Sequence, residues 1–199
     1  VRVVRHEVDL VGEHDRVLRD VAVGTDLGVD VGVVAAGIRG ALVAALYAGL
    51  TYASAALNLA YGPVQFRLSE ALTLLPVLTP AAIPGLTIGC LLGNIGSPLG
   101  IVDIFCGTFA TFTASVITRS LRSIRVKRIP VLSALAPVVI NGLVIGLEIT
   151  FLMSKRKDFL TFVVAAGWVA LGELAMCFAL GLPLTMALQK RGLPFSRLP

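Results

Sequence analysis

The stretch YGPVQFRLSEALTLLPVLTPAAIPGLTIGCLLGNIGSPLGIVDI (residues 61–104) places polar and charged side chains among segments that are too apolar for a water-facing surface. These side chains are Gln65, Arg67, Glu70, Asn94 and Asp103. A charge inside a membrane-spanning helix costs about 2.5–3.5 kcal/mol on insertion scales, so such residues usually line a binding site or a path. The stretch therefore predicts a membrane protein that binds a small polar ligand.

The composition of the whole chain agrees with a membrane protein. The mean hydropathy is +0.89, and only 15% of the residues are charged, against about 25% in soluble domains. The positive charges lie mostly between apolar runs and no nucleic-acid-binding motif is present, so no nucleic-acid partner is predicted. Cys90, Cys106 and Cys177 lie singly in apolar runs, which predicts small buried side chains rather than disulfides or a metal site.

Six apolar runs lie at residues 38–60, 71–78, 81–95, 101–118, 131–153 and 159–188. The second and third are shorter than the roughly 20 residues of a straight span, and prolines separate them, so they form either two short helices or one kinked hairpin. Gly181 and Pro183 mark a candidate break in the sixth run. If both termini face the cytoplasm, nine Lys and Arg lie inside and four outside, as the positive-inside rule favours. We expect an all-α integral membrane protein, a compact bundle of six transmembrane helices with cytoplasmic termini.

The ends of the chain differ from the apolar centre. Residues 1–30 alternate valine with charged residues, begin with Val and contain no apolar signal-peptide core. We interpret them as a poorly ordered or artefactual N-terminal extension. Residues 38–190 are expected to form the membrane domain, and residues 191–199 a cytoplasmic C-terminal tail.

The acidic residues in the apolar runs are the main candidates for ligand contacts. Glu70 has Arg67 three positions before it, so a local ion pair is the competing interpretation. Asp103 follows a Gly-Ser-Pro-Leu-Gly sequence, and a helix N-cap is the competing interpretation there. Glu148 and Glu173 have no basic residue three or four positions away, which favours a ligand role.

Uncharged residues are further candidates for ligand contacts, but each has a second possible role. Asn94 and Asn141 are expected either to contact the ligand or to link helices by hydrogen bonds. Asn141 and Glu148 are seven positions apart and so share one helix face. Trp168 could stack on a planar ligand, although packing is the commoner role of an aromatic side chain. Four acids and one arginine favour a donor-rich, cationic ligand.

Small residues form a second pattern. Gly85, Gly89 and Gly93 make a tandem G-x-x-x-G, and Gly142 with Gly146 makes another. Such spacing lets helix backbones approach closely, and packing within the bundle is the expected role. The first run carries an alanine-rich face formed by Ala41, Ala44, Ala45 and Ala48. This face could contact a helix of a partner protein or pack within the bundle, and the sequence does not decide between the two.

Motifs of enzymes are missing from the sequence. There is no G-x-x-x-x-G-K-[ST] phosphate loop, no G-x-S-x-G elbow and no histidine after His14. We therefore predict neither catalytic residues nor a cofactor nor a metal.

Four segments of the chain resemble the QueT family of predicted queuosine-precursor transporters. They are GPVQFRLSEALTLLPVLTPAAIPGLTIGCLLGNI (62–95), GIVDIFCGTFATF (100–112), PVVINGLVIGLE (137–148) and GELAMCFALGLPL (172–184). The resemblance covers residues 40–188, and the segments agree in order and spacing.

The resemblance implies a substrate-binding S component of an energy-coupling-factor (ECF) transporter in the plasma membrane. Such a component works with a transmembrane coupling protein and two cytoplasmic ATPases, and docks through small residues of its first helix. Either Ala41, Ala45 and Ala48 or Ala44 and Ala48 match that pattern. The implied ligand is a 7-deazaguanine, the aminomethyl precursor or queuine. Another cationic vitamin-like ligand, a small cation or proton channel lined by the acids, and a membrane scaffold that binds other helices are the competing hypotheses.

Overall fold

The computed structural model describes residues 30–61, 65–127 and 129–190. The chain divides into two units, Val1–Ile38 and Arg39–Pro199. Of the first unit, the structure describes Asp30 and the opening turns of a helix, and the site described below belongs entirely to the second. The predicted N-terminal extension, apart from Asp30, and the predicted C-terminal tail lie outside the described residues.

The described residues are helical and contain no β-strand. The long elements are α1 (Val31–Ala56), α2 (Ala82–Asn94), α3 (Ile101–Ser120), α4 (Val131–Leu152), α5 (Phe159–Met176) and α6 (Leu182–Lys190). Between α1 and α2, the chain forms two 3₁₀ helices, Leu68–Leu72 and Leu75–Val77. Together these two make the short-helix segment, Leu68–Val77.

Among the described residues, four helical stretches are long and apolar enough to cross a membrane: Val31–Ala56, Ile101–Ser120, Val131–Leu152 and Phe159–Lys190. They correspond to four of the six predicted runs. The short-helix segment and α2 are shorter apolar helices, and Pro76 limits the former because proline removes a backbone donor. The all-helical membrane class is therefore confirmed, whereas the number of crossings stays a prediction.

The last predicted run does not break at Gly181 and Pro183. Instead, a π-helical turn, Cys177–Gly181, joins α5 to α6. The backbone N–H of Leu182 donates to the Cys177 carbonyl, five residues back. Pro183 has no N–H, and the wider turn lets the helix continue past it.

Glycines let α1 and α2 pack closely. A Cβ added to Gly89 would lie 2.8 Å from the Ala44 carbonyl oxygen, and one added to Gly93 would lie 3.1 Å from the Thr51 side chain. A larger residue at Gly89 would require the backbone to shift, and one at Gly93 would require Thr51 to move by a few tenths of an ångström. The predicted packing role of the first glycine motif is confirmed.

The second glycine motif joins α4 to α5 in the same way. A Cβ on Gly146 would lie 2.7 Å from Ala166 Cα, and one on Gly142 would lie 3.2 Å from Ala170 Cβ. Consecutive helices pack side by side from α2 to α5. The close α4–α5 contact brings polar side chains of these two helices within hydrogen-bonding distance.

The short-helix segment runs alongside α1 in the opposite direction. The backbone N–H of Leu68 donates to Ser54 Oγ over 2.9 Å, and the Tyr47 hydroxyl donates to Glu70 Oε1 over 2.5 Å. Later residues of the segment thus meet earlier residues of α1. The hydrogen bonds fix the segment against a long helix despite its irregular backbone.

The same segment runs parallel to α3. Arg67, just before it, lies 3.8 Å from Asp103 in the first turn of α3. Near the end of the segment, the carbonyl of Pro76 accepts a hydrogen bond from Arg119 Nη1 over 3.1 Å, in the last turn of α3. Asp103 and Arg119 are 16 residues apart, about 24 Å along a helix. Leu68–Val77 therefore runs in the same direction as α3, with its start near the first turn of α3 and its end near the last.

Candidate functional site

A polar cavity lies among the short-helix segment, α2, α3, α4 and α5. The cavity is narrow, with room for about one water molecule. Five of the predicted binding residues line it: Gln65, Arg67, Glu70, Asn141 and Glu173. Residues that are far apart in the sequence thus line the same cavity.

One wall of the cavity carries two carboxylates. Asn141 Nδ2 on α4 donates to Glu173 Oε1 on α5 over 2.7 Å. Glu70 Oε1 accepts the hydrogen bond from Tyr47, while Glu70 Oε2 is buried without a partner in the described residues. Both acids are buried, with exposed fractions of 4% for Glu70 and 8% for Glu173.

The Arg67 guanidinium also lines the cavity. Its Nε donates to the Ala60 carbonyl over 2.8 Å and its Nη1 to Asn94 Oδ1 over 3.0 Å. The Tyr61 ring centroid lies 5.2 Å from Arg67 Cζ, within cation–π range. Burial raises the pKa of Tyr61, so its hydroxyl remains a donor, to the Gly93 carbonyl over 2.6 Å.

Arg67 does not pair with Glu70 as the local interpretation supposed. In the described part of the chain, its ionic contact is with Asp103, at 3.8 Å. Arg67 has extended backbone angles at the start of the 3₁₀ helix, so its side chain leaves the helix axis instead of stacking on Glu70. The N-cap interpretation of Asp103 is also wrong, because Gly100 occupies the cap position of α3 with φ +66°.

Asn94 links helices rather than lining the cavity. Its Oδ1 accepts from Arg67, and its Nδ2 donates to the Asp103 carbonyl over 3.2 Å. A Cβ on Gly107 would collide with Asn94 Nδ2, so the glycine makes room for this amide. The Asn94 side chain therefore holds the Arg67 guanidinium in position through this hydrogen bond.

Several buried polar atoms at the site have no hydrogen-bond partner among the described residues. They are Arg67 Nη2, Glu70 Oε2, Asp103 Oδ1 and both carboxylate oxygens of Glu148. Buried polar groups in folded proteins are nearly always satisfied, so such a cluster points to contacts that a ligand would supply. The unpartnered groups include a donor, on Arg67, and acceptors, on the carboxylates, so they suit a ligand that carries both hydrogen-bond acceptors and donors.

Four of the predicted residues do not line the cavity: Asn94 and Asp103, which contact Arg67, and Glu148 and Trp168. Glu148 is buried on the α4 face that carries Asn141 and Ile145, one turn beyond the cavity lining. Trp168 is 49% exposed and lines a separate, apolar groove of about 560 Å³ with Ile149 and Ala165. The structure thus does not bring Trp168 to the polar cluster.

Other residues at the site were not predicted. Tyr47 is 1% exposed and bonds Glu70, and Thr111 and Cys90 line the cavity. A tyrosine in the middle of an apolar helix needs a partner for its hydroxyl, and this signal was present in the sequence.

The structure separates the alanines of α1. Ala44 is buried and packs against Gly89 of α2. Ala41 and Ala45 are exposed and Ala48 is half-buried, so these three share an outward face. Within the described residues, no group of three or more His, Cys, Asp and Glu side chains forms a candidate metal site.

Comparisons with known proteins agree with the sequence resemblance. The queuosine precursor transporter QueT of Lactococcus lactis subsp. cremoris (strain MG1363) is 39% identical over 71 residues, which cover 36% of this chain and 41% of that protein. The matched part thus spans less than half the length of this relative. No solved structure matches the chain. The family model of the QueT transporter matches residues 38–190, so this membrane protein belongs to the QueT transporter family.

Proposed function

We propose that this protein is the substrate-binding S component of an ECF transporter that imports a queuosine precursor, a 7-deazaguanine such as the aminomethyl form or queuine. The observation that carries the proposal is the buried cavity at which Arg67, Glu70, Asn141 and Glu173 converge. The name of the Lactococcus lactis relative supports the substrate class.

The chemistry of the cavity suits this ligand. A 7-deazaguanine presents N–H donors and a carbonyl acceptor along its guanine-like edge. Glu70 and Glu173 offer acceptor oxygens, and Arg67 offers a donor without a present hydrogen-bond partner. Hydrogen bonds to ionised groups are about twice as strong as neutral ones, so this arrangement favours a donor-rich heterocycle.

Entry of the ligand requires the cavity to widen, because its present width accommodates about one water molecule. Residues 65–67 precede the short-helix segment without regular helical structure. Irregular backbone is tolerated at membrane depth where protein or water covers it. Gln65, Arg67 and Glu70 would form the rim of the pocket or its gate.

Six membrane crossings follow if the short-helix segment and α2 each cross once. The parallel course of Leu68–Val77 and α3, between Asp103 and Arg119, supports the first of these crossings. The α1–α2 glycine contacts, from Gly85 to Gly93, support the second. This topology places both termini in the cytoplasm, where the positive-inside rule favours the larger set of basic residues.

The outward alanine face of α1 is the proposed docking surface for the coupling protein. Ala41, Ala45 and Ala48 lie there, beside the exposed side chains of Leu42 and Leu46, and small residues permit close helix contact. Ala44 is excluded from this surface because it packs inside the protein. ATP hydrolysis would then be the task of two partner ATPases.

Mass spectrometry of small molecules extracted from the purified full-length protein tests the proposal. We expect a 7-deazaguanine in the wild type and its loss in Glu70→Gln. Ser120→Ala is the matched control, since this hydroxyl bonds only its own helix, at the Val116 carbonyl. A different cationic vitamin in the extract would contradict the substrate, and ion currents in protein-only liposomes would support the channel hypothesis instead.

A further inference from the structure

Asp103 and Glu148 hold buried carboxylate oxygens that nothing in the described residues satisfies. Both oxygens of Glu148 and Oδ1 of Asp103 are buried without a hydrogen-bond partner. The exposed fractions of the two residues are 5% for Glu148 and 1% for Asp103. Buried carboxylate oxygens without a hydrogen-bond partner are costly, so the three on Asp103 and Glu148 call for an explanation, even though Asp103 Oδ2 also has its ionic contact with Arg67.

The charges around the cavity do not balance. Four buried carboxylates, Glu70, Asp103, Glu148 and Glu173, face one buried cation, Arg67, within the described ranges. Arg67 contacts Asp103 at 3.8 Å, too long for a hydrogen bond. Arg67 also lines the cavity together with Glu70 and Glu173, so one basic residue serves several acidic ones. A further positive charge would reduce this imbalance.

Asp103 and Glu148 lie on neighbouring helices just beyond the cavity lining, since Cys106, three residues after Asp103, packs against the core cluster that contains Ile145 and Ile149. Glu148 follows Asn141 and Ile145, both cavity-lining residues, along one face of α4. Asp103 is in the first turn of α3 and reaches the cavity through its contact with Arg67. Glu70 and Glu173 lie on the cavity wall itself. The polar residues thus divide into a lining set and a pair beyond it.

We propose that Asp103 and Glu148 form a cation subsite that holds a protonated amine on the ligand, while the lining residues hold its uncharged ring. This rests on the proposed function and deepens it, because it makes the amine a requirement for tight binding. The protein would select precursors that carry an aminomethyl-type cation over uncharged 7-deazaguanines of similar shape.

The test is a calorimetric titration of the full-length protein in detergent with two probes. One is 7-aminomethyl-7-deazaguanine, which is cationic, and the other is 7-cyano-7-deazaguanine, which is not. We expect the wild type to prefer the amine by tenfold or more and Glu148→Gln to lose this preference, with its affinity for the cyano compound changed less than threefold. Asp158→Asn is the matched control, since it removes an exposed carboxylate outside the cavity.

Thermal unfolding without added ligand provides the second measurement. Replacing a buried unpartnered carboxylate by an amide of the same shape removes a charge that the fold does not use, so Glu148→Gln should unfold at or above the wild-type temperature. Asp103→Asn serves as a second variant and should also reduce the amine preference.

The possible results separate the two proposals. If Glu148→Gln loses affinity equally for both probes, the cation subsite is wrong and the proposed function stands. The same holds if Glu148→Gln and Asp103→Asn both keep the wild-type preference for the amine. A wild type that binds neither probe would contradict the proposed function itself, and the subsite with it.

Discussion

Arg67 Nη1 donates a hydrogen bond to Asn94 Oδ1 over 3.0 Å, and both residues are shielded from solvent, with exposed fractions of 6% and 0%. The bond joins the residue before the short-helix segment to the last residue of α2. Since Asp103 lies on the other side of the guanidinium, one cation holds three parts of the chain together. The shape of the cavity therefore depends on Arg67.

Replacing Arg67 should destabilise the protein strongly. Arg67→Met leaves Asp103 buried without a cation, which typically costs about 3–5 kcal/mol. The double variant Arg67→Met with Asp103→Asn should recover part of this loss, because the uncompensated charge is gone. Unfolding in denaturant measures both effects, and a double variant less stable than the single one would contradict the pairing.

Two glycines on neighbouring helices give a matched test of packing. Gly146→Ala forces a Cβ to within 2.7 Å of Ala166 Cα, and such overpacking costs about 1–3 kcal/mol. Gly167→Ala meets nothing within 4 Å and should stabilise α5 by up to about 1 kcal/mol through helix propensity. The two changes should shift the unfolding temperature in opposite directions. Equal shifts would argue against the close α4–α5 contact.

The Tyr47 hydroxyl should be needed for ligand binding. Tyr47→Phe removes the donor to Glu70 Oε1, and a hydrogen bond to a charged group is worth about 1.5–3 kcal/mol. We expect roughly a tenfold loss of affinity for the ligand, because Glu70 is then free to turn away from it. Tyr52→Phe is the control, since that hydroxyl bonds the Leu92 carbonyl at an exposed position. Equal losses in both variants would remove Tyr47 from the site.

Membrane crossing by the short-helix segment can be tested with introduced cysteines. Asn58 and Pro80 are exposed residues on either side of Leu68–Val77. In a background with Cys106 replaced by Ala, Asn58→Cys and Pro80→Cys should react with an impermeant thiol reagent from opposite sides of the membrane. Labelling of both from the same side would show that the segment re-enters without crossing.

The sequence alone predicted the positions of the apolar helices and the packing role of both glycine motifs. These features follow from local properties, namely hydropathy and the spacing of small residues on a helix. It also gave Glu70, Asn141 and Glu173 as candidate ligand contacts, because polar residues in apolar runs are unusual, and the structure brings all three to the cavity.

Features that depend on side-chain direction could not be predicted. The partner of Arg67 follows from the extended backbone at that residue, which the local spacing to Glu70 did not reveal. The outward position of Trp168 could not be predicted because α5 is apolar on every side. Its sequence therefore does not show which face of the helix is buried. The orientation of the alanines became clear only once Ala44 was seen against Gly89.

Direct titration of 7-aminomethyl-7-deazaguanine into the wild-type protein and into Glu173→Ala tests the central claim most directly. The account predicts saturable binding of one ligand per wild-type chain and at least a tenfold weaker affinity when the carboxylate bonded by Asn141 is removed. Binding of equal strength in the two proteins, or none in the wild type, would contradict a 7-deazaguanine site in this cavity.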